Sequence, residues 1–304
     1  MLKSQIAAAR GPAAADIGSL TWILVALGAA VFVVFIVLFI RALTRQGDAG
    51  NDHESKLVLW GGMVVPALVI SAVLAVTLLT MRRLPVEADA DALVIQVTGH
   101  QWWWEVYYPE YDIRSANEIH IPVDRHVDLE LTSADVVHSF WVPALGGKLD
   151  LLPERVNRMI LEASEPDVYR GVCAEFCGLQ HAKMAFHVVA TSEAAHREWV
   201  EAARDEAVDP PTGLAGRGLE VFLDAGCQKC HTIEATEASG TVGPDLTHVA
   251  SRQSIAAGSL ENTTENLARW VTSPQRLKPG VEMPDIELSS DELEALVAFL
   301  ETLE

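Results

Sequence analysis

The sequence predicts three structural classes in one chain: a pair of membrane-spanning helices, then an all-β sandwich or barrel, then an all-α region. Three observations predict it. Residues 17–40 and 57–80 carry no charged side chain, and each run exceeds the roughly 20 apolar residues a helix needs to cross about 30 Å of hydrocarbon. Residues 92–191 are rich in Val, Ile, Trp and Tyr, in short alternating runs broken by Pro, Gly and Asp, the pattern of half-buried strands. From Leu214 onward apolar residues recur at three- and four-residue spacing, as in 215–223 and 291–303, the period of amphipathic helices.

The first apolar run is too long for the core of a cleaved signal peptide, which holds about 7–15 residues, and Arg41 and Arg45 follow it as a membrane-edge flank. Helices at about 17–40 and 57–81 therefore form a hairpin, with both chain ends on one side of the membrane. Basic residues do not fix the orientation. Arg41, Arg45 and Lys56 lie in the connecting loop, against Lys3 and Arg10 before it and Arg82 and Arg83 after it. In the β region, 93–98 and 126–132 are the clearest strands. An acidic, Ala-rich helical stretch from Glu193 leads into the Pro-Pro linker at 209–213, and Ser289-Ser-Asp-Glu292 offers N-cap chemistry to the last helix. The expected division is an anchor at 1–84, a β domain at 85–192, a helical stretch and linker at 193–212, and a helical domain at 213–304. A length of 304 residues accommodates these parts. The net charge of −20 falls largely after residue 80. That argues against nucleic acid and anionic membrane surfaces as partners, and for cationic partners or a simply solvated acidic surface.

Only four cysteines are present, in two tight pairs. The second stands in Cys227-Gln-Lys-Cys230-His231. Cys-x-x-Cys-His is the attachment motif of a c-type haem: two thiols bond to the haem edge, and the adjacent imidazole reaches the iron. A redox dithiol or half a zinc site would share the spacing. No further Cys pair lies nearby to complete a zinc site, however, and the surroundings are helical rather than a βαβ unit. A second axial ligand from Met raises the potential, and Met283 is the only methionine downstream; His248 is the competing imidazole.

The first pair stands in Cys173-Ala-Glu175-Phe-Cys177-Gly-Leu-Gln-His181-Ala-Lys-Met184. Two thiols, an imidazole and a thioether in one loop select copper over hard cations. A Cys173–Cys177 disulfide or a structural zinc site are the alternatives. The first leaves the His and Met without a role, and zinc sites rarely recruit Met.

The helical region resembles class I c-type cytochromes, through 214–222, the haem motif, Gly243-Pro-Asp-Leu246, the Met283-Pro284 loop and the final amphipathic helix. The resemblance implies Cys227 and Cys230 as covalent haem anchors, with His231 and Met283 as axial ligands and His248 as a surface residue. The middle of the chain resembles subunit II of haem-copper oxidases. The Cys-x-Glu-x-Cys-x-x-x-His-x-x-Met loop, Asp135-Val-Val-His138 and Gly99-His-Gln-Trp-Trp-Trp104 carry the likeness, with the paired helices in the expected place. Together the parts look like subunit II of a caa-type oxidase. A cupredoxin-like Greek-key fold for the β domain is implied, with a binuclear copper centre, CuA, on His138, Cys173, Cys177, His181, Met184 and the backbone carbonyl of Glu175. The Glu175 side chain is implied to reach a magnesium ion at the interface with subunit I. Trp102 takes the position of the electron-entry tryptophan, and Asp135 an acidic docking position. On a strand, Trp102 and Trp104 share one face and Trp103 the other.

The family commonly has a Glu before the second helix for proton uptake. The segment 55–66 departs from that spacing, and Glu54 is not assigned the role. The resemblance implies an electron-entry subunit that accepts electrons from cytochrome c or another donor. It would pass them through haem c and CuA to subunit I, for reduction of oxygen to water with proton pumping; subunit III is a further expected partner. The location implied is a bacterial plasma membrane, with the polar domains periplasmic. The alternatives are the CuA and haem c subunit of a nitric oxide reductase, or a stand-alone electron shuttle. The four cysteines disfavour a quinol oxidase subunit, which lacks the copper ligands.

Overall fold

Residues 9–44, 56, 58–85, 89–204 and 212–304 are described in this computed structural model. Their contacts divide the chain between residues 13–85 and a larger unit that holds residues 86–304 together with the segment before Ala13.

The smaller unit consists of helix α1 (Pro12–Thr44) and helix α2 (Val65–Met81), the latter entered through a π-helical turn at Trp60–Val64. Helix α1, and α2 counted with its π-helical turn as Trp60–Met81, are each long and apolar enough to cross a membrane. Helix α1 runs past the uncharged stretch at both ends, taking in Asp16 and Arg41. Charge marks where hydrocarbon ends, and a helix does not stop there. The π turn has a local cause: Pro66 has no N–H to donate to the carbonyl four residues back, in a Gly61-Gly62 segment with little preference for the α-helix. Glu54 and Arg45 lie outside the described residues.

Among the described residues of the larger unit, ten strands form two five-stranded sheets. They are β1 (Leu93–His100), β2 (Trp103–Tyr108), β3 (Ile113–Ala116), β4 (Glu118–Pro122), β5 (Val127–Ser133), β6 (His138–Trp141), β7 (Lys148–Leu151), β8 (Asn157–Leu161), β9 (Asp167–Cys173) and β10 (Ala185–Thr191). One sheet has the order β3-β2-β1-β5-β8 and the other β4-β10-β9-β6-β7. Strands β1 and β5 are parallel, as are β4 and β10, and the other pairs are antiparallel. Alternation places Leu93, Ile95 and Val97 of β1, Leu129 and Leu131 of β5 and Phe186 and Val188 of β10 in one core between the sheets. Each such burial contributes about 1.5–3 kcal/mol. Trp104 of β2 is buried in that core while its strand neighbour Trp103 is only partly covered, as alternation requires; Trp102, in the turn before β2, is buried as well.

Helix α3 (Glu193–Ala202) follows β10 and is N-capped by Ser192. Then come α4 (Gly213–Asp224), α5 (Thr264–Thr272), the single turn α6 (Pro274–Leu277) and α7 (Ser290–Leu300). The expected cap on α7 is a full capping box, in which Ser289 and Glu292 each bond the other's backbone N–H. A two-residue hairpin, β11 (Ser254–Ile255) with β12 (Leu260–Glu261), interrupts the otherwise helical region. Four residues of turn join strands too short to show any sequence period. A second core of Phe222, Leu267, Leu296 and Phe299 holds α4, α5 and α7 together.

Helices α4 and α7 cross at Gly218, where a Cβ would lie 2.0 Å from the Ala295 carbonyl oxygen and 2.6 Å from the Phe299 Cβ. Backbone cannot move aside as a side-chain tip can. Gly218→Ala is therefore expected to destabilise the helical region by about 1–3 kcal/mol, read as a lower thermal midpoint of the haem-loaded protein.

Candidate functional site

The sulfur-rich loop joins β9 to β10. Cys173 ends β9, and its N–H donates to the Met184 carbonyl at 3.0 Å, so the loop is stapled where it enters and leaves the sheet. Within the loop Gly178 adopts a positive φ of 114°, and His181 opens a short 3-10 turn. On the neighbouring strand β6, His138 is fully buried. It fits only because residue 99 is glycine: a Cβ there would lie 2.8 Å from the His138 ring.

These elements bring the predicted donors together. The Cys173 and Cys177 sulfurs are 3.7 Å apart and not bonded to each other. Nδ1 of His138 is 4.0 Å from the Cys173 sulfur, and Nδ1 of His181 is 3.8 Å from that of Cys177. The Met184 sulfur lies 3.8 Å from Cys177, and the Glu175 carbonyl oxygen 3.2 Å from the Cys173 sulfur. Among the described residues, His138, Cys173 and Cys177 form the one group whose His, Cys or carboxylate ligand atoms cluster closely enough for a metal ion. Two thiols at this spacing cannot both ionise without a cation. The hydrogen bond between them holds Cys173 far below the ordinary thiol range and pushes Cys177 far above it. A bridging cation would take the place of that shared proton. Soft sulfur with two imidazoles fits copper.

Asp135 has a structural task that its spacing alone did not assign. Its Oδ1 is 2.8 Å from Nε2 of His138 and its Oδ2 accepts the Gln101 N–H at 2.6 Å. The carboxylate thus turns Nδ1 of His138 toward the sulfurs. Burial by itself would lower the His138 pKa, but the hydrogen bonds to Cys173 and Asp135 outweigh it and raise the value. An acid three residues before a ligating His was the available signal. Asp135→Asn is expected to weaken copper retention by about 10–100-fold, measured by competition with a copper chelator. Glu175 directs its carboxylate outward, with Oε2 3.9 Å from the Lys148 ammonium. Trp102 donates its ring N–H to the Cys177 carbonyl at 3.0 Å, and the Gln101 amide donates to the same oxygen at 2.7 Å. The proposed entry tryptophan therefore touches the loop backbone directly.

In the helical region Cys227, Cys230, His231 and Met283 line one mainly apolar cavity of about 210 Å³, with Trp102 and Lys278 also on its wall. Nδ1 of His231 lies 2.8 Å from the Pro244 carbonyl, which leaves Nε2 for a metal. Gly243 leaves room for the ring: a Cβ there would lie 2.6 Å from Cε1 of His231. Burial lowers the His231 pKa and keeps the imidazole neutral, as an iron ligand must be. The donor set, its apolar lining and the glycine cradle fit a covalently attached haem. His248 lies away from this cavity, with Nδ1 2.6 Å from the Glu304 carbonyl.

Comparison with known proteins agrees with this division of labour. Residues 112–191 match the family model for the periplasmic domain of cytochrome c oxidase subunit II, and residues 215–304 match the cytochrome c model. Cytochrome c oxidase subunit 2 of Alkalihalophilus pseudofirmus is 38% identical over 286 residues, which cover 89% of this chain and 82% of the relative. The chain belongs to the cytochrome c oxidase subunit 2 family. The Bacillus subtilis member is 31% identical over 90% of this chain and 82% of its own. The solved periplasmic domain of the Bradyrhizobium japonicum subunit II is 31% identical over 40% of this chain and 96% of that structure, with a TM-score of 0.37. Membership makes the chain an electron-transfer subunit of a haem-copper oxidase complex, which implies subunit I as a partner. Its subunit II domain implies copper and its cytochrome c domain implies haem. The two apolar helices precede a domain matched as periplasmic, the order of a membrane-anchored subunit.

Proposed function

We propose that this subunit takes electrons from cytochrome c or another one-electron donor at haem c, and delivers them through CuA to subunit I, where oxygen is reduced to water with proton pumping. The observation that carries the reading is the meeting of two sulfurs, two imidazoles, a thioether and a backbone carbonyl in one buried cluster, linked by the Cys177 carbonyl to Trp102, which lines the haem cavity. In this reading His138, Cys173, Cys177, His181, Met184 and the Glu175 carbonyl hold copper. Cys227 and Cys230 anchor the haem, His231 and Met283 bind its iron, and Trp102 is the entry residue. When bound, the two centres supply reversible one-electron chemistry. The residues hold the ligands fixed and keep water out, so little has to move when charge changes.

The Glu175 carboxylate, exposed beside Lys148, is proposed as the magnesium ligand facing subunit I. Subunit III completes the proposed complex in a bacterial plasma membrane, with both chain ends and the polar domains periplasmic and the helix-connecting loop cytoplasmic. The division at 84, 192 and 212 into anchor, copper domain, linker and cytochrome domain is proposed on the two separate cores. The purified complex tests the reading. Oxygen uptake driven by reduced cytochrome c, with acidification outside resealed vesicles, supports it. Reduction of nitric oxide without oxygen uptake would transfer the subunit to the alternative complex.

A further inference from the structure

Lys278 is a long cationic side chain only 2% exposed, at the seam between the copper-loop region and the haem region. Its ammonium donates to the Trp102 carbonyl at 3.0 Å and to the Ala256 carbonyl at 3.1 Å. Among the described residues no carboxylate lies within ion-pair distance of it. An uncompensated ammonium is costly to bury, and a methionine would fill the same space without that cost. In some proteins a buried polar group kept at such a cost fixes register.

The two ends of the bridge are each rigid. On the haem side, Lys278 lies five residues before Met283. The Gln275 amide clamps the intervening loop, donating to the Val281 and Met283 carbonyls at 2.6 and 2.7 Å while its oxygen accepts the Gly280 N–H at 3.0 Å. On the copper side, the Trp102 ring is tied to the Cys177 carbonyl. Gly280 sits so close to this side that a Cβ there would be 3.1 Å from Leu179 and 3.9 Å from the Trp102 ring. Further bonds flank the bridge: Gln180 to the Pro279 carbonyl at 2.6 Å, Lys183 to the Leu277 carbonyl at 2.5 Å and the Ala185 N–H to the Ala257 carbonyl at 3.0 Å. None of these bonds involves Trp102, whereas Lys278 reaches the entry tryptophan itself.

We propose that Lys278 is a positioning residue that locks the Met283 loop onto Trp102 and so sets the distance and orientation for electron transfer from haem c to CuA. The inference rests on the copper and haem assignments made above. One electron passes in each event, the haem iron being oxidised as the copper pair is reduced, with no bond made or broken and with the external donor as the source. Burial, with Lys183 nearby, lowers the Lys278 pKa to about 7. The two carbonyls hold the amine as donor in either protonation state.

The test uses the assembled oxidase with Lys278→Met, and with Lys278→Gln, which keeps N–H donors on a shorter arm. Haem c is reduced by a photo-injected electron and its reoxidation by CuA is timed. Because misplacement by about 1 Å can cost on the order of 100-fold, Lys278→Met is expected to slow this step by at least about tenfold, with Lys278→Gln recovering part of the rate. The haem c midpoint potential, the Met-ligated haem absorbance and the CuA EPR signal stay as in the unsubstituted enzyme, while the haem–copper distance distribution from pulsed EPR broadens. An unaltered rate and distribution in Lys278→Met overturn the proposal. If that variant loses a cofactor, the Lys278→Gln enzyme decides the matter by the same two readouts. Absence of the copper signal or of covalent haem from the unsubstituted enzyme would instead sink the assignments on which the proposal rests.

Discussion

Replacing Cys177 by serine is expected to empty the copper site and reduce electron delivery from haem c to oxygen to background, while leaving covalent haem and its absorbance intact. The Cys177 sulfur lies at the centre of the cluster, within 3.8 Å of Cys173, His181 and Met184 alike. Its loss takes away the sulfur that Cys173, His181 and Met184 face, and leaves His138 and the Glu175 carbonyl against Cys173 alone. A serine hydroxyl is a hard, neutral donor at neutral pH and does not replace a thiolate for a soft metal. The fold survives because the loop ends are pinned by backbone: Cys173 N–H to the Met184 carbonyl, and Ala174 N–H to the Ser139 carbonyl. Copper analysis, the EPR signal and oxygen uptake on the purified complex read the three parts of this expectation separately. Retained copper with retained turnover would show that Cys177 is not a ligand.

The second large effect is expected from the paired substitution Cys227→Ala and Cys230→Ala. Haem then cannot be retained through denaturation, and the helical region loses stability together with its chromophore. The cavity explains why the effect exceeds the loss of a cofactor. Without haem, the mainly apolar walls of a space of about 210 Å³ are left facing water instead of the macrocycle. The β-sheet region keeps a separate core, so copper binding should persist in this variant. Haem staining on a denaturing gel, thermal unfolding and copper content check it. Loss of copper along with haem would mean that the two cores do not stand independently.

The parts of the molecule fixed by local chemistry were legible in the sequence. Two uncharged runs gave the helices, Cys-x-x-Cys-His marked side chains that the fold brings onto one cavity wall with Met283, and the capping sequence at Ser289 gave the start of the last helix. The sulfur loop was legible because five of its donors lie within twelve residues of one another, so a single loop carries most of the site. Alternation along β2 correctly separated Trp104 from Trp103; Trp102 is buried as expected, but from the turn before β2 rather than from a strand. What escaped was set by distant parts of the chain. Asp135 was read as a docking charge, and its bond to His138, an orienting task, was not foreseen. Gly99 and Gly243 gave no local signal, since each is small to admit an imidazole from elsewhere in the fold. Lys278 could not be distinguished from a surface lysine, because its burial depends on Trp102, 176 residues away. The β11–β12 hairpin is too short for any period to reveal.

The most direct measurement is metal content and EPR of the full-length protein, purified from a host that attaches haem. A copper-to-iron ratio of about two to one, with a copper signal shared equally between two nuclei, is the predicted result for a pair of ions bridged by Cys173 and Cys177. Iron without copper under copper-replete conditions, with Cys173 and Cys177 found as a disulfide, would contradict the account and leave a membrane-anchored cytochrome in its place.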